Sequence, residues 1–269
     1  MKLIATLRLS FVAIALLLTS NVFAAYAYVQ DVQNSTGSTS AIGVATGNFG
    51  SANTAGNLLV VAVLYDGSSS GGLTGLGTVV SDTLGNTYTL IDTVSDPTLA
   101  LQVGLYYAKN IAGGTNSVAV NYSGAPAAAY YKGVFAAEYS GLDTSTPFTT
   151  GQFAGQEQTS STGAANELTS GSTPSLAKQP VAVVGFSAIL HSVQGAPSAG
   201  TGFTQRDQFW DFGNAATFAC LEDKRATSTA AVTSTFTPAG TGQKFVTFVA
   251  VFNEAGATNA VPSRGFWIN

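Results

Sequence analysis

The stretch that decides the fold class of this 269-residue chain is LLVVAVLY, residues 58–65. Every position in it is apolar and several residues are β-branched, which predicts a strand that is covered on both faces. Residues 181–190 and 245–252 have the same character. Around them, residues 101–107 and 118–122 alternate between apolar and other positions, as half-buried strands do. The pattern predicts a chain built from strands.

Turn residues separate these runs at short and regular intervals. Gly85-Asn86, Gly113-Gly114 and Ser140-Gly141 are three of the dipeptides that end one run before the next begins. Many short strands with such turns, and without helical spacing, are typical of antiparallel sandwiches. We therefore predict an all-β fold, an antiparallel β-sandwich of the jelly-roll or immunoglobulin-like type. The alternative is two small immunoglobulin-like β-sandwich domains.

The chain also shows a loose internal repeat, because residues 25–148 and 177–254 carry the same order of runs. In each half a buried run is followed by strands with a polar end, an alternating strand and a second buried run. Between them, residues 149–176 are rich in Gly, Ser, Thr and Gln and are interpreted as a connection. The second half alone is short for burying its apolar runs, so we expect one domain over 25–254. Residues 255–269 are interpreted as a C-terminal tail.

The first 24 residues have the three parts of a secretory signal peptide. Lys2 and Arg8 supply the positive charge, and residues 11–18 form the apolar segment. Val22 and Ala24 supply small residues at the −3 and −1 positions before the cleavage site. The apolar segment is far shorter than the roughly 20 residues that a membrane-spanning helix needs. We therefore expect a secreted, periplasmic or cell-surface protein without a membrane span after cleavage.

The composition excludes several classes of protein. Charged residues make up 9% of the chain and hydrophobic residues 45%, which argues against a disordered protein. Only 10 Lys and Arg residues are present and the net charge is −4, which argues against nucleic acid as a partner. One Cys and one His exclude an intramolecular disulfide and a zinc site made of several such ligands.

Several short motifs carry a resemblance to a known group of proteins. They are GNLLVV at 56–61, SDTLGNTY at 81–88, YYAKNIAGG at 106–114 and EYSGL at 138–142, with GFTQ at 202–205 in the second half. In combination they resemble a group of largely uncharacterised bacterial secreted β-sandwich proteins. The resemblance implies the sandwich fold, export and a bacterial source. It implies no catalytic residue.

Two acids on predicted strands are the best candidates for catalysis. Glycoside cleavage needs two carboxyl groups about 5 to 9.5 Å apart, and Glu138 and Glu222 are the acids best placed for it. The alternative is that each is a structural acid bonded near a strand end. His191 is the only histidine that a serine triad could use, and GSSSG at 67–71 matches the G-x-S-x-G pattern but precedes no predicted helix.

The most suggestive binding stretch is QFWDFGN, residues 208–214. Trp210, Asp211, Phe212 and Asn214 place aromatic rings beside planar polar groups, and this combination is suited to sugar rings. We therefore interpret these four residues as a glycan-binding site. The alternative is that the aromatic rings of this stretch pack in the core and along a sheet edge.

Calcium is the one cofactor that the sequence suggests, and the signal is weak. Aspartates such as Asp82 and Asp207 lie near predicted turns, but the chain contains no D-x-D-x-D-G run. Asp82, just before Gly85-Asn86, is better explained as a turn former that accepts hydrogen bonds from its own backbone. No other cofactor is expected.

Together these features favour a non-enzymatic exported module that recognises a glycan or a cell-surface partner. The first alternative is a structural subunit of a surface layer or fibre, because a chain with little charge and many strands pairs easily at its sheet edges. The second is a carbohydrate-active enzyme that uses Glu138 or Glu222. The oligomeric state is left open.

Overall fold

The computed structural model describes most of the chain after the predicted signal peptide. The described residues are 24–37, 43–66, 77–96, 101–123, 131–158, 167–190, 196–210, 218–238 and 244–259. Within these ranges the regular structure is all β-strand, and no helix long and apolar enough to cross a membrane occurs there. The predicted all-β class is confirmed.

The described residues form sixteen strands, and every pairing between them is antiparallel. The strands are β1 Ala27–Thr36, β2 Gly43–Ala45, β3 Leu58–Asp66, β4 Gly77–Asp82, β5 Thr89–Asp96, β6 Leu101–Ala108, β7 Val118–Ser123, β8 Tyr131–Ser140, β9 Phe148–Gln158, β10 Leu168–Ser172, β11 Lys178–Leu190, β12 Ser198–Ala199, β13 Thr204–Trp210, β14 Phe218–Ala226, β15 Thr233–Thr237 and β16 Lys244–Asn259.

The strands form two five-stranded and two three-stranded sheets. The large sheets have the orders β1-β8-β3-β6-β5 and β13-β14-β11-β16-β9, and the small ones have the orders β2-β7-β4 and β10-β15-β12. Adding eight to every strand number of the first half reproduces both sheets of the second half. The topology therefore repeats in full, which the loose repeat of the sequence only suggested.

The two large sheets pack face to face in the centre, and each small sheet covers the outer face of one of them. Leu58 and Val60 of β3 lie in a hydrophobic cluster with Val184 and Phe186 of β11, so one core contains residues of both halves. Leu59 of β3 points the other way, into a cluster with residues of β2 and β7. Strand β3 is therefore covered on both faces, and this prediction from its sequence is confirmed.

Both halves point in the same direction along the sandwich. Thr89, at the start of β5, pairs with Tyr107, whose ring lies 5.9 Å from that of Phe148 at the start of β9. Near the ends of the same strands, Val94 lies against Gly155, where a β-carbon would overlap it. The odd-numbered strands of both large sheets therefore finish at one end of the molecule, which we call the upper end.

Two boundaries that the sequence suggested need correction. Residues 149–176 were expected to be a connection, but they contain most of β9 and all of β10. Small polar residues are tolerated there because β9 is an edge strand and Phe153 alone anchors its middle to the central core. The tail was expected from residue 255, but β16 continues to Asn259, where it pairs with Lys178.

Candidate functional site

Glu138 lies on β8 and is fully buried, with a complete set of hydrogen-bond donors around it. The side-chain amides of Gln30, Asn53 and Asn57 donate to it over 2.7, 2.6 and 2.6 Å. The backbone N–H of Thr54 donates over 2.8 Å. One carboxylate therefore ties β1 and the segment before β3 to β8.

This arrangement explains two of the motifs behind the family resemblance. The asparagine of GNLLVV is Asn57 and the glutamate of EYSGL is Glu138, and the two side chains bond to each other. The same segment turns at Gly56, whose φ of 89° is the left-handed conformation that glycine adopts readily. The motifs therefore encode a structural clamp.

Glu222 lies on β14 and is also fully buried. It accepts hydrogen bonds from the Ser234 hydroxyl (2.6 Å) and from the Gly200 backbone N–H (2.9 Å). Burial, only partly offset by these donors, raises the pKa of Glu222 to about 7. A β-carbon on Gly185 would overlap the Ser234 hydroxyl, so the glycine leaves room for this contact.

The structure does not bring Glu138 and Glu222 together. Glu138 pairs with Leu59 and shares its outward direction, towards the sheet β2-β7-β4. Glu222 points towards β15 of the other small sheet, where it meets Ser234. Both large sheets lie between the two carboxyl groups, and packed sheets are already about 10 Å apart. The pair is too widely separated to flank one glycosidic bond.

Asp82 closes the turn after β4, as the sequence predicted. It accepts hydrogen bonds from the Asn86 backbone N–H (2.9 Å), the Asn86 amide (2.7 Å), the Tyr88 hydroxyl (2.9 Å) and the Asn116 amide (3.0 Å). Burial alone would raise the pKa of Asp82, but these donors outweigh it and lower the pKa. The motif SDTLGNTY is therefore a second structural clamp.

We expect Asp82→Asn to lower the free energy of unfolding by about 1 to 3 kcal/mol at neutral pH, because the amide N–H₂ group would then face at least one of the four donors. Because the pKa of Asp82 is lower in the folded chain than its ordinary value of 3.8, the ionised carboxylate stabilises the fold above pH 3.8. This stabilisation is lost as the pH falls through the lowered pKa. Urea titrations should therefore show a smaller difference in unfolding free energy between Asp82→Asn and the unchanged chain at pH 3 than at pH 7. Thr87→Ala, at an exposed neighbour, is the control, and an equal loss at both pH values would contradict the prediction.

Of the four predicted glycan-binding residues, Trp210 lies within the described part of the chain. Trp210 is the last residue of β13, and its backbone pairs with Phe218. Asp211, Phe212 and Asn214 lie outside the described residues, as do His191 and the 67–71 stretch. Strand β13 ends at the upper end, and β14 begins there.

A group of polar residues that sequence reasoning missed lies between β1 and β13, the two edge strands on one side of the large sheets. The Asp31 and Asp207 side chains both face this gap, because Asp31 pairs with Ala137 and Asp207 with Leu221, and both of these partners lie in the central core. The Tyr28 hydroxyl donates to Asp31, and the Gln33 amide lies 3.5 Å from Asp207. Burial, with the charge of Asp31, raises the pKa of Asp207 to about 7.

An ion pair completes this group, which we call the polar margin. Arg206 donates to Asp223 of β14 over 2.8 Å and lies 4.7 Å from the centre of the Tyr28 ring. The Tyr26 hydroxyl also donates to Asp223, over 3.4 Å. We define the polar margin as Tyr26, Tyr28, Asp31, Gln33, Arg206, Asp207 and Asp223.

The polar margin was hidden in the sequence by two irregularities in strand pairing. One lies between Tyr28 and Gln30 of β1, and the other between Gln205 and Asp207 of β13. Each shifts the register by one residue, so simple alternation assigns the following side chains to the wrong face. Polar residues at close intervals in both strands were the only signal present.

No three His, Cys, Asp or Glu side chains of the described ranges form a group that could hold a metal ion. Calcium binding therefore stays a prediction.

Comparison with known proteins found no matching family model, no matching curated protein and no matching solved structure.

Proposed function

We propose that this chain is an exported, non-enzymatic β-sandwich module that recognises a glycan or a cell-envelope partner at its upper end. The observation that carries the proposal is the common direction of the two halves. Strands β3, β5, β11 and β13 all finish at the upper end, so strands of both halves end side by side there. Rigid strands that present several connections at one end are a frequent arrangement in binding proteins.

The chemistry of the connections supports recognition of a polar ligand. The connection after β13 contains Asp211, Phe212 and Asn214, and Trp210 directly precedes it. Residues 67–76, between β3 and β4 in the sequence, are rich in Gly and Ser. An aromatic face flanked by amide and carboxyl groups suits a sugar ring, because the ring has apolar C–H faces and polar edges.

The structural use of three acids also supports a binding role. Glu138 and Asp82 are each held by four hydrogen bonds, and Glu254 accepts two from Arg225, over 2.6 and 2.7 Å. These carboxylates hold loops and strands together. A proton-transfer group in a glycosidase needs instead to contact the substrate.

The test is binding of the chain from residue 25 to a panel of polysaccharides and glycans. We expect saturable binding that Trp210→Ala weakens about tenfold or more, since truncation of a central aromatic anchor commonly costs 2 kcal/mol or more. Trp267→Ala, which removes the other tryptophan, is the matched control and should bind like the unchanged chain. Absence of binding, or equal loss in both variants, would contradict the proposal.

An assembly role is the second candidate, and one observation favours it. Strand β4 ends its small sheet with six residues and exposes 59% of Val79, whereas its counterpart β12 has only two residues. An open edge of this kind can pair with another chain. Gel filtration of the same samples distinguishes the two roles, because a filament or large oligomer would favour assembly.

A further inference from the structure

The two margins of the central interface are closed by different chemistry. At the β5/β9 margin, Val94 lies directly against Gly155, and the contact is apolar. At the β1/β13 margin, the side chains of the polar margin lie between the two strands, and they are polar or charged. The two halves therefore meet through packing on one side and through hydrogen bonds and charges on the other.

The central contact of the polar margin joins two groups of the same charge. Asp31 belongs to the first half and Asp207 to the second. Both side chains face the gap between β1 and β13, because their strand partners Ala137 and Leu221 lie in the central core. The charge of each therefore acts on the other. Two ionised carboxylates in contact repel each other, whereas one proton between them converts the contact into an O–H···O hydrogen bond. The state of one proton therefore decides whether this contact attracts or repels.

We propose that the Asp31–Asp207 contact is a proton-dependent latch, which holds β1 against β13 in mildly acidic conditions and releases this margin when both carboxyl groups are ionised. The proposal concerns regulation of the fold. It holds or fails independently of the proposed binding function.

The neighbouring groups determine which carboxyl group keeps the proton. Burial and the charge of Asp31 both disfavour ionisation of Asp207 and raise its pKa, so the proton lies on Asp207. Arg206 does not compensate the pair, because Asp223 already binds its guanidinium at 2.8 Å. The titratable and charged groups around Asp207 on the adjoining elements are Tyr28 and Asp31 of β1, Arg206 of β13, and Cys220, Glu222 and Asp223 of β14.

The direction of the pH effect follows from the raised pKa. The folded chain holds a proton on Asp207 up to a pH of about 7, whereas an unfolded aspartate releases it near 3.8. The stability that the latch contributes is therefore fully present below 3.8 and is lost as the pH rises through about 7. Above that pH the margin contains two negative charges that repel each other.

The test is hydrogen exchange of individual segments at pH 5 and pH 8.5, with EDTA present and with correction for intrinsic exchange rates. We expect protection of β1 and β13 to fall about tenfold or more at pH 8.5, while that of β6 in the same central core changes little. A local readout is needed because Glu222 also titrates near pH 7 and affects global stability. Equal protection of β1 and β13 at the two pH values would overturn the proposal.

Two variants and one matched control complete the experiment. Asp207→Asn and Asp31→Asn each remove one charge from the pair and should each make the protection of β1 independent of pH. Asp92→Asn changes an aspartate on β5, at the opposite margin, and should keep the full pH response. A pH response that persists in both Asp31→Asn and Asp207→Asn would also overturn the proposal.

Discussion

Replacing Glu138 by glutamine should lower the free energy of unfolding by about 3 to 5 kcal/mol, as expected when one partner of a buried charged network is removed. The carboxylate is 0% exposed and accepts four hydrogen bonds. A glutamine of the same shape would place an N–H₂ group among donors and leave at least one of them unpaired. The loss arises because an unpaired buried donor keeps its full desolvation cost.

The measurement is chemical unfolding at pH 7, with Glu167→Gln as the control. Glu167 is exposed, so the same chemical change there should alter stability by less than about 0.5 kcal/mol. If Glu138→Gln lowered the free energy of unfolding as little as Glu167→Gln, the hydrogen bonds of Glu138 would contribute little to stability. Hydrogen exchange of Asn53–Asn57 should increase in the Glu138 variant, because this segment is the part that the carboxylate holds.

Replacing Phe186 by alanine should cost about 3 to 5 kcal/mol, the range found for large aromatic residues in cores. Phe186 is 1% exposed and lies between the two large sheets. Its ring packs edge-on against that of Phe135, with the ring centres 5.0 Å apart. Phe135 belongs to the first half and Phe186 to the second, so the pair joins the halves directly.

A double-mutant cycle measures this junction. Phe135→Ala and Phe186→Ala should show a coupling energy of about 0.5 to 1.5 kcal/mol, as aromatic pairs in contact do. The control cycle combines Phe186→Ala with Phe236→Ala, because Phe236 lies in a different cluster, which contains Ile189 and Phe245. Its coupling should stay below about 0.5 kcal/mol. Equal coupling in the two cycles would contradict a specific junction at Phe135 and Phe186.

The repeat of eight strands does not extend to the buried acids. Glu138 lies opposite Leu59 on β3, whereas the corresponding strand β16 carries Val251 opposite Val183 of β11. Conversely, Glu222 stabilises only the second half, through Ser234. The two halves share a topology and use different polar contacts to hold it.

Much of the fold was predictable because the sequence patterns that indicate a strand or a turn involve residues close together along the chain. The continuous run at 58–65 predicted a strand covered on both faces, and the central position of β3 confirms it. Asp82 was predicted as a turn former from its spacing to Gly85-Asn86, and its bond to the Asn86 backbone confirms this. Residues 149–176 were misinterpreted, because an edge strand with one apolar face to cover tolerates the small polar residues that are typical of loops.

The candidate sites were less predictable, because they depend on which sheets pack against each other. Glu138 and Glu222 were correctly expected on strands, but their separation follows from the stacking of four sheets. The glycan-binding role of Trp210, Asp211, Phe212 and Asn214 stays a prediction, as do export and the number of domains.

By itself the sequence determined the strand content, the burial of both faces of β3 and the turn at Asp82, because each depends on residues that are close along the chain. The tertiary structure alone decided that Asp31 meets Asp207 and that Glu138 is isolated from Glu222. Two strand irregularities and the packing of the two halves create the first arrangement, and the intervening sheets impose the second. These are long-range contacts, and the period of a strand carries no information about which strand will face it.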